Sequence, residues 1–579
     1  MQIIKIIILI LSLIGYYLLF QRKVKLKEEF IPIVVIVSIS LIMFIAFILN
    51  IAILGTILIT LAGLIFLVKS VYEMIKNKEK PKINFNIIFL AIFVIWAAII
   101  LKGTILIHYD NFSHWGMIAR EMLITDKLPN FESTTIMFTS YPPGTACTIY
   151  FFCKFLGNSE SRMLFAQSLI IISSLYTLFA FCNKNKKINY IIALIAIIYM
   201  IIGNIFITEL LVDTVLPVLG LAAFAIIIYY RNDTKKALIY SIPILSYLII
   251  VKNSGVFFVV IDLLVYFAIF IKKHGFKNIF KTKYLLLILI PVALQIIWSA
   301  HTDLVFSDAA NSKHAMTIEN YESNMEQKDE TIIKTVAIKM LQKMTDIKSS
   351  DNIILLAMLG IFIFMLILSR DKSYLRSFIF KMLSVLIATY IIYQIGLLGM
   401  YLLSMPEYEA INLSAYSRYF KTMVIFNFGI TIIAILMFLD RYKINKTISM
   451  YTIQIFIVII ASLPIILYSS PLKKLYTKPD IKDSTRTTII NYKNVYGREE
   501  KKSYLIYVSE HAQKDYLYYI CKYDFRSTNI KIIASLSELK DLEDIEKYNY
   551  FIILDDDDEI SKYLKNVKGD IKLNVIKNK

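Results

Sequence analysis

Apolar runs long enough to cross about 30 Å of hydrocarbon are the feature that most limits what this chain can fold into. They lie at 1–20, 31–50, 51–68, 86–107, 161–182, 188–208, 210–230, 284–300, 352–369, 378–403, 420–439 and 449–469. Two shorter runs, 237–251 and 255–271, flank Lys252-Asn253-Ser254-Gly255 and read as a helical hairpin. The expected fold class is a polytopic α-helical membrane protein with about fourteen (12–14) transmembrane helices. Composition agrees, since 57% of the residues are hydrophobic and only 18% charged, against roughly 25% charged in soluble chains. The first run is followed by QRKVKLKEE with no small-residue cleavage site, so it reads as a retained helix rather than a signal peptide. Four cysteines in 579 residues make no disulfide framework; Cys147 and Cys153 are six apart and leave one disulfide open.

The net charge of +19 would point to nucleic acid in a soluble protein. Its placement says otherwise. Seven short segments (21–30, 69–85, 183–189, 231–236, 272–283, 370–381 and 440–446) hold 27 Lys/Arg and 7 Asp/Glu, so the remainder of the chain is close to neutral. Alternating the spans puts all seven on one side, the cytoplasmic side by the positive-inside rule. No nucleic-acid partner is expected. The opposite side of this multi-pass cell-membrane protein receives loops 108–160, 301–351 and 404–418 and the tail from about 470.

The polar chemistry gathers on that outer side. Loop 108–160 opens HYDNFSHWGMIAREML, where Asp110, Asn111 or Ser113 can cap a helix and Trp115, Ile118, Ala119 and Met122 share one face. Such a helix lies in the interface, and Asp110 and His114, four apart, would face the same way. NFS at 111–113 also matches a glycosylation sequon, beside a helix cap. Tyr141-Pro142-Pro143-Gly144 is a stiff turn back to the membrane. In ITELLVDTVLP, Glu209 and Asp213 are four apart at a membrane boundary. On a helix they would share a face and could hold a divalent cation or a sugar hydroxyl. Otherwise they mark a solvated helix end. Lys252 ends a span, to grip phosphate or merely to snorkel. Ala415-Tyr416-Ser417-Arg418-Tyr419 puts a guanidinium fork suited to phosphate at the mouth of another. Asp262, inside a span, reads as paired within the bundle.

These residues, in this order and on one side, resemble the GT-C superfamily of membrane glycosyltransferases, which includes protein mannosyltransferases and the aminoarabinose transferase of lipid A. Asp110 in YDNFSHWGMIAREM is similar to the acid of the family's first outward loop, and Tyr141-Pro142-Pro143-Gly144 to the Pro-Pro turn that closes it. TELLVD resembles the second acidic site, giving that role to Glu209 and Asp213. The resemblance covers about residues 86–440. It differs from the commonest pattern in having one acid, not adjacent acids, at Asp110, and three extra spans at the N-terminus.

The resemblance implies a polyprenyl-phosphate-linked sugar as donor and a cell-surface glycan, lipid or protein as acceptor. Asp110 would be the catalytic general base, and Lys252 and Arg418 would hold the donor phosphate. His114, Tyr141, Pro142, Pro143 and Tyr419 would support them. A divalent metal, where used, would fall to Asp110, Glu209 and Asp213. The expected domains are N-terminal helices (1–85), a catalytic membrane module (86–470) and an extracytoplasmic α/β domain (471–579).

That last domain rests on strand patterns at 503–508, 529–534 and 550–555 with helical patterns between them. Asp555–Asp558 reads as a solvated helix start. In loop 301–351, Ile332, Val336, Met340 and Met344 make a stripe that either lies over the outer cavity or belongs to a surface helix. Two other functions compete with sugar transfer. A polymerase or ligase of lipid-linked glycans would lean on Arg418 rather than the acids. A lipid-glycan transporter or flippase would place its polar groups near mid-bilayer.

Overall fold

The computed structural model describes residues 2–80, 84–130, 133, 136, 138–183, 185–203, 205–306, 318–441, 454, 457, 475–477, 485–496, 502–509, 514–542, 545–554, 559–560, 562–563 and 574–577. Among the described residues, eleven helices are long and apolar enough to cross a membrane, and three apolar helices are shorter. The chain is a polytopic helical protein. The N-terminal helices are α1 (Gln2–Leu19), α2 (Ile31–Ile48), α3 (Ala52–Lys76) and α4 (Ile87–Leu101). Loop 108–160 carries α5 (Gly116–Thr125) and α6 (Gly144–Leu156), and α7 (Glu160–Tyr176) follows. Next come α8 (Lys187–Gly203), α9 (Val215–Tyr229), α10 (Thr234–Val251), α11 (Val256–His274) and α12 (Leu289–Val305).

Every expected span is matched by a helix except 449–469, most of which lies outside the described residues. The runs 86–107 and 188–208 give the shorter helices α4 and α8, while α6 is an apolar helix that the pattern of spans does not include. GTACTIYFFCKFL is too short to cross on its own, at about 20 Å, and it is buried against α2 and α7. Cys147 and Cys153 both lie in it, buried and free, so no disulfide forms.

The second half continues with α13 (Ile318–Glu326), α14 (Glu330–Thr345), α15 (Ser350–Leu368), α16 (Ser373–Leu403), α17 (Glu407–Ile411) and α18 (Tyr416–Arg441). Helices α9 and α18 are apolar all round and buried almost throughout, as helices at the centre of a bundle must be. The stripe of α14 packs against neighbouring helices. Val336 and Met340 are buried where α14 packs on α16 and α17, and Lys339 Nζ donates to the Ile411 carbonyl. Asp262 is fully buried in α11, but among the described residues its carboxyl oxygens have no hydrogen-bond partner, contrary to the expected pairing.

The basic segments meet one another at one end of the bundle. Asn84 and Asn86 donate to Glu29, the Lys27 amide donates to the Tyr230 hydroxyl, and Lys186 pairs with Asp440. Thr234 meets His274, and Arg441 meets Tyr374.

The tail contains α19 (Thr485–Tyr496), β1 (Tyr504–Tyr507), α20 (Lys514–Phe525), β2 (Ile530–Ile533), α21 (Leu536–Lys540), β3 (Tyr550–Ile553) and β4 (Asn574–Lys577). The strands form one parallel sheet in the order β2-β1-β3-β4. The run Asp555–Asp558 lies outside the described residues. Side chains alternate along β1 as a pleat requires: Tyr504 and Ile506 join the core shared with the membrane helices, whereas Leu505 and Tyr507 join a separate core on the other face. The sheet is thereby fixed to the bundle by one of its faces.

Candidate active site

Four charged side chains from four separate segments form one alternating chain. Arg418, in the first turn of α18, donates from Nη1 to Asp110 Oδ2 at 2.5 Å. Its Nε lies 3.2 Å from Asp213 Oδ2, an ion-pair contact without hydrogen-bond alignment. Lys252 Nζ donates to the other Asp213 oxygen at 2.7 Å. Formal charges of two acids and two bases cancel. Asp213 is buried, while Arg418 keeps 30% of its side-chain surface exposed and Asp110 keeps 16%. One end of the chain is therefore open.

Local sequence explains how each group gets there. Residues 111–115 wind as a π-type turn ahead of α5, wider than an α-helical turn. Asp110 and His114 engage different neighbours there. Asp110 caps nothing through its side chain and reaches Arg418 and, at 3.9 Å, His108 Nδ1. His114 meets Ser113 at 2.7 Å and sits edge-on to Trp115, Phe138 and Tyr141. Trp115, Ile118, Ala119 and Met122 are all buried, as their shared face predicts.

The Tyr141-Pro142-Pro143-Gly144 turn has a definite seat. A Cβ on Gly144 would collide with the Ile250 carbonyl, so glycine lets α6 begin against the end of α10, two residues before Lys252. Tyr141 stacks on Trp115 at 5.2 Å, and burial pushes its hydroxyl up to about 12. Pro142 and Pro143 are buried in the turn. Tyr419 presents its ring to Lys252 Nζ at 5.4 Å, a cation–π distance. Burial opposes charge on Lys252, but the Asp213 carboxylate outweighs it and holds the ammonium above its ordinary value.

Glu209 and Asp213 do not share a helix face, because the chain between them is a turn leading into a short 3₁₀ segment at Val212–Thr214. Glu209 turns instead to Asn111, whose Nδ2 donates to Oε2 at 2.5 Å while its Oδ1 accepts from the Leu210 amide at 3.0 Å. Burial raises the Glu209 carboxyl to about 7, against the opposing pull of the Asn111 bond. Burial also lowers His108, and His108 Nδ1 accepts from the Asp110 amide at 3.1 Å.

Asp110, Glu209 and Asp213 do not fit a divalent cation. Both Asp213 oxygens face cations, Asp110 faces Arg418 and Glu209 holds Asn111. Among the described residues, no group of three or more His, Cys, Asp or Glu side chains could hold a metal ion.

Several residues that position the site carry no sequence signal. The tail helix α20 lies on the segment ahead of α5, with Tyr519 against Tyr109, Tyr516 and Tyr523 against Phe112, and the Tyr516 hydroxyl donating to the Ile107 carbonyl. Beneath it, Arg486 of α19 is fully buried, paired with Asp524 and, at 2.5 Å, with Glu160. Its guanidinium lies over Phe112 at 4.7 Å and Tyr523 at 5.0 Å. Glu160 also accepts from the Leu106 amide at 2.7 Å. Of these groups only Asn111, beside the singled-out acid and able to cap, gave a hint in the sequence.

No protein-family model, curated protein or solved structure matches the chain.

Proposed function

We propose that the chain is a GT-C-type membrane glycosyltransferase, moving a sugar from a polyprenyl-phosphate donor to a cell-surface acceptor on the outer face. The observation that carries this reading is the Asp110–Arg418–Asp213–Lys252 chain. It gathers a carboxylate able to take a proton and two cations able to take a phosphate at one membrane boundary. The basic segments lie at the opposite end, which is the cytoplasmic one by the positive-inside rule.

Arg418 supplies the coupling. A donor phosphate entering at its exposed side competes with Asp110 for the guanidinium, which pairs with phosphate in the same bidentate way as with carboxylate. Asp110 is then released beside the bound donor. It accepts the proton of the acceptor hydroxyl as that oxygen bonds to the anomeric carbon. The bond from that carbon to the phosphate oxygen breaks, and its electron pair leaves on the polyprenyl phosphate. Lys252 and Arg418 stabilise the charge that develops there. The donor set does not fit a divalent cation.

Asp110→Ala tests the reading in membranes supplied with labelled donor. Transfer is expected to fall at least 100-fold with expression unchanged, and full activity would overturn it. Loss of activity on Arg418→Ala with Asp110→Ala still active would favour the ligase reading.

A further inference from the structure

Helix α1 packs along α3, and small residues set the crossing. A Cβ on Gly15 would collide with the Gly63 carbonyl, and Ser12 sits against Gly63. Small residues let two helix backbones approach closely, so α1 leans on α3, while α4 and α7 pack on each other. Between the two pairs is a groove of about 630 Å³. Leu9 and Leu13 of α1, Val94 of α4, and Phe165 and Leu169 of α7 line its length. Lys102 and Arg162, with Ser159 and Ser161, form its polar rim.

The rim stands at one end only. From Lys102 to Val94 and from Arg162 to Leu169 the helices run about 10–12 Å deeper, past apolar side chains. Glu160, the acid nearest the rim in sequence, is turned to Arg486 and the Leu106 amide. Two cations above a hydrocarbon slot are complementary to a phosphate above an acyl chain. The guanidinium fork suits that phosphate, and a basic residue near a membrane surface favours anionic lipid. A groove open to the bilayer is also filled by mass action from the most abundant lipid that fits it.

We propose that this groove binds one acyl chain of an anionic glycerophospholipid, its phosphate held between Lys102 and Arg162. The site is separate from Lys252 and Arg418 and does not depend on the transfer chemistry proposed above. Native mass spectrometry of the full-length protein, released from nanodiscs holding equal phosphatidylglycerol and phosphatidylcholine, tests it. Phosphatidylglycerol is expected to be retained preferentially. K102Q/R162Q, at two exposed positions, should weaken that retention on the order of thirty-fold. Ala98→Trp, which fills the slot without touching the rim, should expel the lipid. Equal retention of the two lipids, or an unchanged preference in K102Q/R162Q, would overturn the proposal. So would displacement of phosphatidylglycerol by an equimolar polyprenyl phosphate.

Discussion

Two arginine-centred clusters, Arg418 with Asp110 and Asp213, and Arg486 with Asp524 and Glu160, use the same pair of groups in opposite ways. Each arginine bridges two carboxylates that are far away in sequence. Arg486 has no exposed side-chain surface and is enclosed by two aromatic rings. Arg418 keeps 30% of its side-chain surface exposed and, among the described residues, lies over one ring, that of its neighbour Tyr419. A buried charge network is stable only while complete, since removing one partner strands the others away from water. A half-open one can exchange a carboxylate for another anion at little cost, because water and ligand reach it. Burial, not ion-pair chemistry, separates a fixed joint from an exchangeable one.

The comparison can be broken at three places. Arg486→Met should have the largest effect, about 3–5 kcal/mol of stability, because Asp524 and Glu160 lose their buried partner. Thermal unfolding and protease nicking of the tail would show it. Adding Asp524→Asn should recover part of the loss, and an unaltered melting curve for Arg486→Met would end the distinction. Arg418→Lys should leave stability within about 1 kcal/mol yet raise donor KM about tenfold, because a point charge lacks the bidentate fork. Equal losses of stability at both arginines would make Arg418 a joint as well.

Glu209 should show the smallest effect. Its folded value of about 7 lies above the ordinary 4.5, so the folded chain binds that proton more readily than the unfolded one. This contribution to stability is complete below about 4.5 and is lost as the pH climbs through about 7. The melting temperature of the wild type should therefore fall more steeply than that of Glu209→Gln between pH 5 and 8. Parallel curves would show that Asn111 holds Glu209 equally well in both forms.

The spans and the individual charged groups were legible because both are local. A 20-residue apolar run or an acid at a membrane boundary announces itself without reference to distant residues. Thirteen of the expected helices fall on such runs, and Asp110, Asp213, Lys252 and Arg418 each stand out singly. Pairing is not local. Arg486 reaches Glu160 across 326 residues, and nothing near either position marks it. The turn chemistry also misled. DNFSHW has helix-cap residues but winds as a π-type turn in which the Asp110 side chain caps nothing. Glu209 and Asp213 have helical spacing in a segment that never becomes α-helix. Strand β4 lies outside the expected strands, although Ile571, Leu573 and Val575 alternate with Lys572 and Asn574 in the sequence leading into it.

The long separations also order the assembly of the site during synthesis. Asp213 and Lys252 are 39 residues apart and can pair almost as soon as α10 emerges. Asp110 must wait for Arg418, 308 residues later, and Glu160 for Arg486. At translation rates of 5–20 residues per second these intervals last roughly 15 to 65 s. Through that time the nascent first loop carries two acids whose arginine partners do not yet exist. A ribosome that stalls after α17 leaves a chain with every preceding helix made and a site that lacks Arg418 and the tail.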